Sequence, residues 1–587
     1  MADSTRTRYN RFLLLVAGLG GLLYGVDVGI IAGALPYLEA TSGLTAGQLS
    51  FIVAAVLLGS VISTLFAGML ADWMGRKWLM AISGITFVLS VPVIALARGY
   101  EPLVLGRLLQ GVSAGLIGVV VPLYLAECLG ASDRGKGTGI FQWLLTLGIV
   151  AAAIIGMYFS YRVDQVAKLG DAAKLFAFKD SAWRGIFWVS LPPGVLFVIG
   201  SLMVAESPRW LFRRGKTDAA RLALLRSRSP EQAAVELQEM EATAATERAK
   251  STGGAQQARE SLLHRKYVIP FVLACVILAC NQATGVNSII GYNTNILLQG
   301  GLADVQAHLS YVILTLVNFL VTIGGVVLVD RKGRKFLLSL GSAGIIASLL
   351  CVGVLFHNTE SQRVDCREAV QAMVPADQKL TLSYDDQLAD RLLAGGGMSH
   401  QPTTLVIIYS YGDFRSATEA TRSDDKTAKA ISITRESCVP DNKVVAFFSN
   451  PFASVEAART APLKIDNALI TPVPSQHSGW LVAIFLFAFM AFYAVGPGVC
   501  VWLALSELMP TRIRSNGMSV ALLLNQAVST TIAAFFLPTV GKYGYSTMFF
   551  GFAGCTVIYF VTAAFFLPET KGQTLEEIEA HFEGHRQ

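Results

Sequence analysis

Between Ala279 and Asn295 the chain reads Ala-Cys-Asn-Gln-Ala-Thr-Gly-Val-Asn-Ser-Ile-Ile-Gly-Tyr-Asn-Thr-Asn. Apolar residues flank this stretch, yet its middle offers Asn281, Gln282, Thr284, Asn287 and Ser288. Amides and hydroxyls are costly in an apolar surrounding unless they find partners. Here they cluster beside Gly285 and Gly291, which let a helix bend or unwind and bare its backbone groups. An amide carries both a donor and an acceptor, which suits an uncharged, polyhydroxylated ligand. A single amide would serve as glue between helices; the cluster predicts a binding site.

Asp27 is a second candidate, because it lies inside an apolar run. An ionised carboxylate there must find a partner or take up a proton. Arg107, in another apolar run, is the expected partner. A carboxylate whose proton trades against an arginine can couple a proton gradient to a conformational change. The alternative is a static pair that only fixes helix packing.

The elements that must position these residues are long and apolar. Of 587 residues, 53% are hydrophobic and 15% charged, well below the charged share of a soluble domain. Twelve runs near 11–34, 49–71, 78–98, 102–128, 137–160, 184–205, 267–298, 307–330, 335–356, 479–507, 515–538 and 545–567 are long enough to cross a bilayer as helices. The fold class expected is therefore an all-α integral membrane protein with lipid as its surroundings. The first run is long enough to span, so no cleaved leader is expected. A net charge of +6 is small for this length and gives no reason to expect nucleic acid. No metal-type Cys/His spacing, nucleotide-binding loop or catalytic constellation is evident, so no metal, no cofactor and no enzyme activity are expected.

Arg and Lys gather at Arg6, Arg8, Arg11, Arg76, Lys77, Arg134, Lys136, residues 331–335, Arg512 and Arg514. All fall on one side of a twelve-span count, which the positive-inside rule makes cytoplasmic, with both termini there. An internal repeat is visible. Asp72-Trp-Met-Gly-Arg76-Lys77 recurs as Asp330-Arg-Lys-Gly-Arg334-Lys335, offset by 258 residues, and Glu127 with Arg134 recurs as Glu507 with Arg514, offset by 380. The difference is close to the length of a polar segment in the second half, so that segment reads as an insertion. The predicted organisation is a six-helix half (1–205), a cytoplasmic linker with amphipathic helices (206–266), three helices (267–356), an extracytoplasmic insertion of mixed structure (357–478), three helices (479–568) and a cytoplasmic tail (569–587). Two six-helix halves place a substrate near the midplane between them.

These signatures resemble the sugar porter family of the major facilitator superfamily. The resemblance rests on Gly20-Gly-Leu-Leu-Tyr-Gly-Val-Asp27, Asp72 with Gly75-Arg76-Lys77, Gly106-Arg107, Glu127 with Arg134, Gln142, and Glu206-Ser-Pro-Arg209-Trp210-Leu. It continues through Asn281–Asn287, Asn318, Asp330 with Gly333-Arg334-Lys335, Glu507 with Arg514, and Pro568-Glu569-Thr570-Lys571-Gly572. It implies sugar contacts at Gln142, Gln282, Asn287, Asn318 and Asn525, with Asn281 beside them and Trp502 packed against the sugar. It implies an aspartate–arginine proton-coupling pair at Asp27 and Arg107. It also implies a cytoplasmic gate network of Asp72, Arg76, Glu127, Arg134, Glu206, Arg209, Asp330, Arg334, Glu507, Arg514 and Glu569. The expected function is proton-coupled symport of a monosaccharide by alternating access, by a chain acting as a monomer. A passive sugar or polyol facilitator and a non-transporting sugar sensor are the alternatives. The family pattern is broken at Asn281, Gly291, Ala494 and Gln526, changes that leave the sugar open and could favour a sugar alcohol or a bulkier substrate.

Such a long insertion is unusual for the family. Its runs Leu405–Tyr411 and Val444–Phe448 read as short strands, and Ala394-Gly-Gly-Gly reads as a loop. Cys366 and Cys438 are its only cysteines; on an oxidising exterior a disulfide between them is expected.

Overall fold

A computed structural model describes residues 2–129, 134–253, 265–393, 402–418, 420–424, 430–440, 453–509, 514–571 and 582. Among them are twelve helical spans long and apolar enough to cross a membrane. Spans 1 to 6 are Arg6–Ser42, Ala46–Met74, Arg76–Ala95, Tyr100–Leu125, Ile140–Ala167 and Ala172–Met203. Spans 7 to 12 are Tyr267–Gly291, Asp304–Val329, Arg334–Glu360, Gln476–Val501, Val520–Tyr543 and Tyr545–Phe566. The end of the molecule carrying the Arg76 and Arg334 loops is called the basic end below, and the opposite end the cap end.

Lipid supplies little hydrophobic drive between helices, so close packing of small residues must hold the bundle. Span 1 shows this in its sequence. Gly21, Gly25, Gly29 and Gly33 recur every four residues and form one stripe along the helix. A Cβ at Gly21 would overlap the Phe141 carbonyl, one at Gly25 the Leu145 carbonyl, and one at Gly33 the Gly156 backbone. Spans 1 and 5 therefore touch backbone to backbone. Spans 2 and 4 do the same, with Gly111 against the Val56 carbonyl and Gly59 against the Leu108 carbonyl.

Three spans are broken where the sequence weakens them; span 6 is interrupted at Ser190, just before Pro192 and Pro193. In span 7 a helix from Arg265 to Ala283 ends before Gly285, whose φ of +81° is left-handed. A six-residue helix Val286–Gly291 and a seven-residue helix Asn293–Gln299 follow. The second break falls at Tyr292, not at Gly291 as expected, because Gly291 stays helical. Span 10 breaks at Gly496, just before Pro497, which cannot donate the helical bond. The stretch Tyr161–Ala182 between spans 5 and 6, which reads in sequence as a modest loop, is mostly helix. Span 6 starts at Ala172, where the Asp171 carboxylate caps the helix by accepting from the Lys174 amide at 3.1 Å. The run Ala172–Ala182 is too polar to count as apolar, yet helical propensity and this cap extend the helix beyond the core of the bilayer.

Three helices follow span 6: Pro208–Arg213, Thr217–Ser227 and Pro230–Gly253. Between spans 9 and 10 sits a small α/β cap. Its main sheet is antiparallel in the order β1 (Val364–Asp365), β7 (Leu463–Pro472), β3 (Thr403–Tyr411), β4 (Phe414–Ala417), with β5 (Thr421–Arg422) also on β3. A second ladder pairs β2 (Leu380–Leu382) with β6 (Ile431–Ile433). Leu405, Ile407, Tyr409, Ile465, Ala468 and Ile470 form the cap's own core. The strand expected at Leu405–Tyr411 is β3; that at Val444–Phe448 and the loop at Ala394 lie outside the described residues.

The expected Cys366–Cys438 disulfide is not formed; both thiols are free. Cys366 donates to the Ala468 carbonyl on β7 at 3.3 Å, and Cys438 to the Phe414 carbonyl on β4 at 3.2 Å. Those strands are separated by β3, about 9–10 Å in total, beyond the reach of a disulfide. Burial is the first cause that pushes both thiols up to about 11. Each therefore stays protonated and unreactive at neutral pH. Peptide mapping without reductant is expected to find no Cys366–Cys438 link. Alkylation of the folded cap is expected to be slow at pH 7 and to rise steadily toward pH 11.

Candidate functional site

The break in span 7 gathers the amides. Asn281 and Gln282 sit in the last turn before Gly285, and Thr284 donates to the Asn281 carbonyl at 2.7 Å, closing that turn. A Cβ on Gly285 would collide with the Phe552 ring, so both its φ and the ring against it require glycine. Asn287, on the short helix beyond, turns back and donates to Gln282 Oε1 at 2.9 Å and to Ser529 Oγ of span 11 at 2.7 Å. Asn281 reaches Tyr493 Oη of span 10 at 3.4 Å. Spans 7, 10 and 11 thus meet in one hydrogen-bonded group.

The group is incomplete. Asn281 Oδ1 and both amide atoms of Asn525, one turn before Ser529, are buried without a hydrogen-bond partner among the described residues. Buried amides are paired in nearly all proteins, and here a ligand bearing hydroxyls would pair them. Asn318 is half-buried and receives the Thr322 hydroxyl on its carbonyl at 2.6 Å. Gln142 is exposed on span 5. These two flank a ring stack between spans 5 and 8, where Trp143 lies on Phe319 with centroids 5.5 Å apart. The side chain of Trp502 lies outside the described residues. Sequence reasoning missed Tyr493 and Ser529, because an isolated hydroxyl in an apolar span looks like packing.

Asp27 and Arg107 are both buried and approach to 3.6 Å. The contact is loose: neither carboxylate oxygen has a hydrogen-bond partner, while Arg107 donates to Gln110 at 2.7 Å and lies over the Phe187 ring at 5.9 Å. Gln110 and Phe187 therefore support the guanidinium alongside the nearby acid. Gln110 lies one turn beyond Arg107 and was legible only as a neighbour.

At the basic end the two halves repeat one device. The N–H groups of Arg76 and Lys77, at the start of span 3, donate to Glu206 at 2.9 and 3.1 Å. Those of Arg334 and Lys335, at the start of span 9, donate to Glu569 at 3.0 and 3.1 Å. Each carboxylate neutralises the positive end of a helix dipole. It can approach because Gly75 and Gly333, with φ of +99° and +90°, have no Cβ in its way. Burial raises the Glu206 carboxyl, opposed by its bonds to the Ser207, Lys77 and Arg76 amides.

The Arg76 guanidinium is buried and binds Glu127 with two parallel bonds of 2.9 Å. Its Nη1 also reaches Asp72 at 2.9 Å. Ser207 donates its hydroxyl to Glu127. Arg209 is exposed and makes no ion pair with a described residue; Arg213 instead reaches Asp72 at 3.7 Å and Glu127 at 3.9 Å. Sequence reasoning missed Ser207 and Arg213. The side chains of Arg134, Asp330, Glu507 and Arg514 lie outside the described residues.

The described polar contacts between the halves fall at the cap end. Tyr37 and Ser160 both donate to Asp304 of span 8, at 2.7 and 2.6 Å. His308 lies 3.4 Å from Asp304, stacks on Tyr37 and reaches the Gly33 carbonyl at 3.3 Å. Tyr311 donates to the Gly29 carbonyl at 3.1 Å, and Ser50 accepts from the Leu537 amide at 3.1 Å. Asn295 donates to Glu39. The cap end is thus closed. Asp304→Asn leaves a weaker acceptor and no charge beside His308. With charged hydrogen bonds at about 1.5–3 kcal/mol, the closed state is expected to lose roughly ten- to a hundredfold in population. Electron–electron distance measurements with spin labels at Lys168 and Ala303 would show the lengthened population; an unchanged distribution would show that Asp304 does not hold this end.

The halves, the break in span 7 and the repeated basic end can be compared with known proteins. A family model described as "Sugar (and other) transporter" matches residues 13–374 and 465–582. The glucose transporter GlcP of Staphylococcus epidermidis is 25% identical over 97% of this chain and 97% of its own. The human proton myo-inositol cotransporter is 26% identical over 97% of this chain and 82% of its own. The galactose-proton symporter of Escherichia coli K12 is 30% identical over 59% of this chain and 70% of its own. In fold, the chain is similar to the xylose transporter XylE of E. coli in a partially occluded inward-open conformation, with a TM-score of 0.65 at 19% identity, covering 97% of this chain and 100% of XylE. Twelve spans in two halves, the family match on both sides of the cap and the shared fold lead to one assignment: the chain is a multi-pass membrane transporter of the major facilitator fold, not an enzyme, and belongs to the sugar (and other) transporter family.

Proposed function

We propose that this transporter carries a neutral monosaccharide together with a proton, by alternating access. The observation that carries the proton reading is the Asp27–Arg107 pair, buried and close yet without a hydrogen bond between its members. A carboxylate held this way can lose its partner and gain a proton without breaking the arginine's own supports. The sugar reading rests on amides that offer donors and acceptors and no charge: Asn281, Gln282, Asn287 and Asn525, joined by Gln142 and Asn318, with Trp502 carried over from the family resemblance alone. The names of the relatives, which include a glucose transporter, a galactose-proton symporter and a proton myo-inositol cotransporter, support both readings. The basic end faces the cytoplasm by the positive-inside rule, and the closed cap end then makes this the inward-facing arrangement. Substrate bound at the midplane alternates between the two ends as the halves rock.

Uptake into proteoliposomes tests the proposal with labelled glucose, galactose, xylose, arabinose and myo-inositol. At least one is expected to accumulate above equilibrium only when an inward proton gradient is imposed. Equilibration without accumulation would reduce the protein to a passive facilitator. No movement of any of the five would overturn the sugar reading.

A further inference from the structure

The family match ends at Val374 and resumes at Ile465, leaving out the middle of the cap. Between the cap sheet and the outer ends of the spans lies a cavity of about 90 Å³. At roughly 10–15 Å³ of such space per water it has room for about six to nine waters, on the scale of one monosaccharide. Val406 and Thr471 of the sheet form its roof, and Phe356, Tyr545, Asn295 and Arg363 part of its floor.

The wall has the makings of a sugar site. Phe356, stacked between Tyr545 and Phe549 at 4.9 and 5.6 Å, turns ring edges to the cavity and gives it an apolar side. Asn295 is buried, its amide nitrogen is occupied by Glu39, and its Oδ1 has no partner. Arg363 is held by Glu360 at 3.1 Å, and its buried Nε has no partner. A free acceptor and a free donor on one wall are what a hydroxylated ligand satisfies together. Two carboxylates, Glu39 and Glu360, balance Arg363 and Arg422 around the cavity, so nothing in it selects a charged ligand.

From this geometry we infer that the cap and the outer ends of the spans form a second, vestibular site for a neutral monosaccharide, above the closed cap end. The inference rests on the proposed sugar transport, because it takes the same class of ligand. A sugar held there waits at the mouth before the halves open, and Asn295 belongs to both this site and the closure through Glu39.

Equilibrium dialysis of the full chain in detergent tests it, with labelled glucose, galactose, xylose, arabinose and myo-inositol as probes. Wild type is expected to bind two molecules of one of these per chain. Val406→Trp fills the cavity from the cap side and is expected to leave one. Arg363→Gln removes the Nε donor without bulk and is expected to weaken the second site at least tenfold if the tryptophan variant fails to fold. Asn525→Ala removes the central site instead and also leaves one. One molecule per wild-type chain, unchanged by Val406→Trp and lost in Asn525→Ala, overturns the vestibular site and leaves the transport reading standing. No binding of any probe to wild type overturns both.

Discussion

Asp27→Asn is expected to abolish accumulation of sugar against its gradient while leaving exchange of labelled for unlabelled sugar in place. Asparagine keeps the shape of the side chain beside Arg107 but cannot change its charge with the proton. Arg107 keeps Gln110 at 2.7 Å and the Phe187 ring, but its buried charge loses the carboxylate, so a stability loss of up to about 3–5 kcal/mol is expected alongside. With one proton per sugar and an inward gradient of one pH unit, wild type can accumulate up to about tenfold, because that unit is worth about 1.4 kcal/mol. The variant is expected to stop at equal concentrations inside and out. Counterflow, which needs the halves to alternate but no gradient, is expected to persist. Accumulation that survives the substitution would move the proton elsewhere, and Asp304 would be the next carboxylate to replace. Loss of counterflow as well would make the pair structural, since its only role would then be to hold spans 1 and 4 together.

Much of this architecture was legible because lipid punishes charge. Runs without charge had to be spans, and the side on which Arg76, Arg334 and their neighbours recur gave the repeat and the insertion. The cluster at Asn281–Ser288 stood out for the same reason: five polar side chains within eight positions are hard to place in lipid unless they serve something. What escaped reading was everything decided by contact between distant spans. Tyr493 and Ser529 complete the amide group, but each is one hydroxyl in an apolar run. Tyr37, Ser160, Asp304 and His308 close the cap end from three spans, and no pattern along the chain joins them. The glycine stripe at 21, 25, 29 and 33 was readable in principle, since its spacing of four is that of one helix face. The cysteines show the opposite error: compartment and count argued for a bond that strand order forbids.

The largest effect on stability is expected at Arg76. Its guanidinium and the Glu127 carboxylate are both buried and joined by two bonds of 2.9 Å. Arg76→Ala removes the fork and leaves Glu127 with the Ser207 hydroxyl and a distant Arg213 at 3.9 Å. Stranding one charge of a buried pair costs about 3–5 kcal/mol. For a unit of about 200 residues that is a fall of roughly 6–20 °C in Tm, which tryptophan fluorescence in detergent would follow. Arg76→Lys keeps the charge but not the fork, and should fall between the two. Replacing both partners, Arg76→Met with Glu127→Met, strands no charge and is expected to recover most of the loss. If the double variant is as unstable as Arg76→Ala, the cost lies in packing and not in the orphaned carboxylate. The amide bonds from Arg76 and Lys77 to Glu206 involve the backbone and survive every one of these substitutions. Glu206→Gln tests them separately, and Glu569→Gln at the start of span 9 should have a similar effect, because the two halves use the same glycine, the same pair of amides and the same acid to end one span and begin the next.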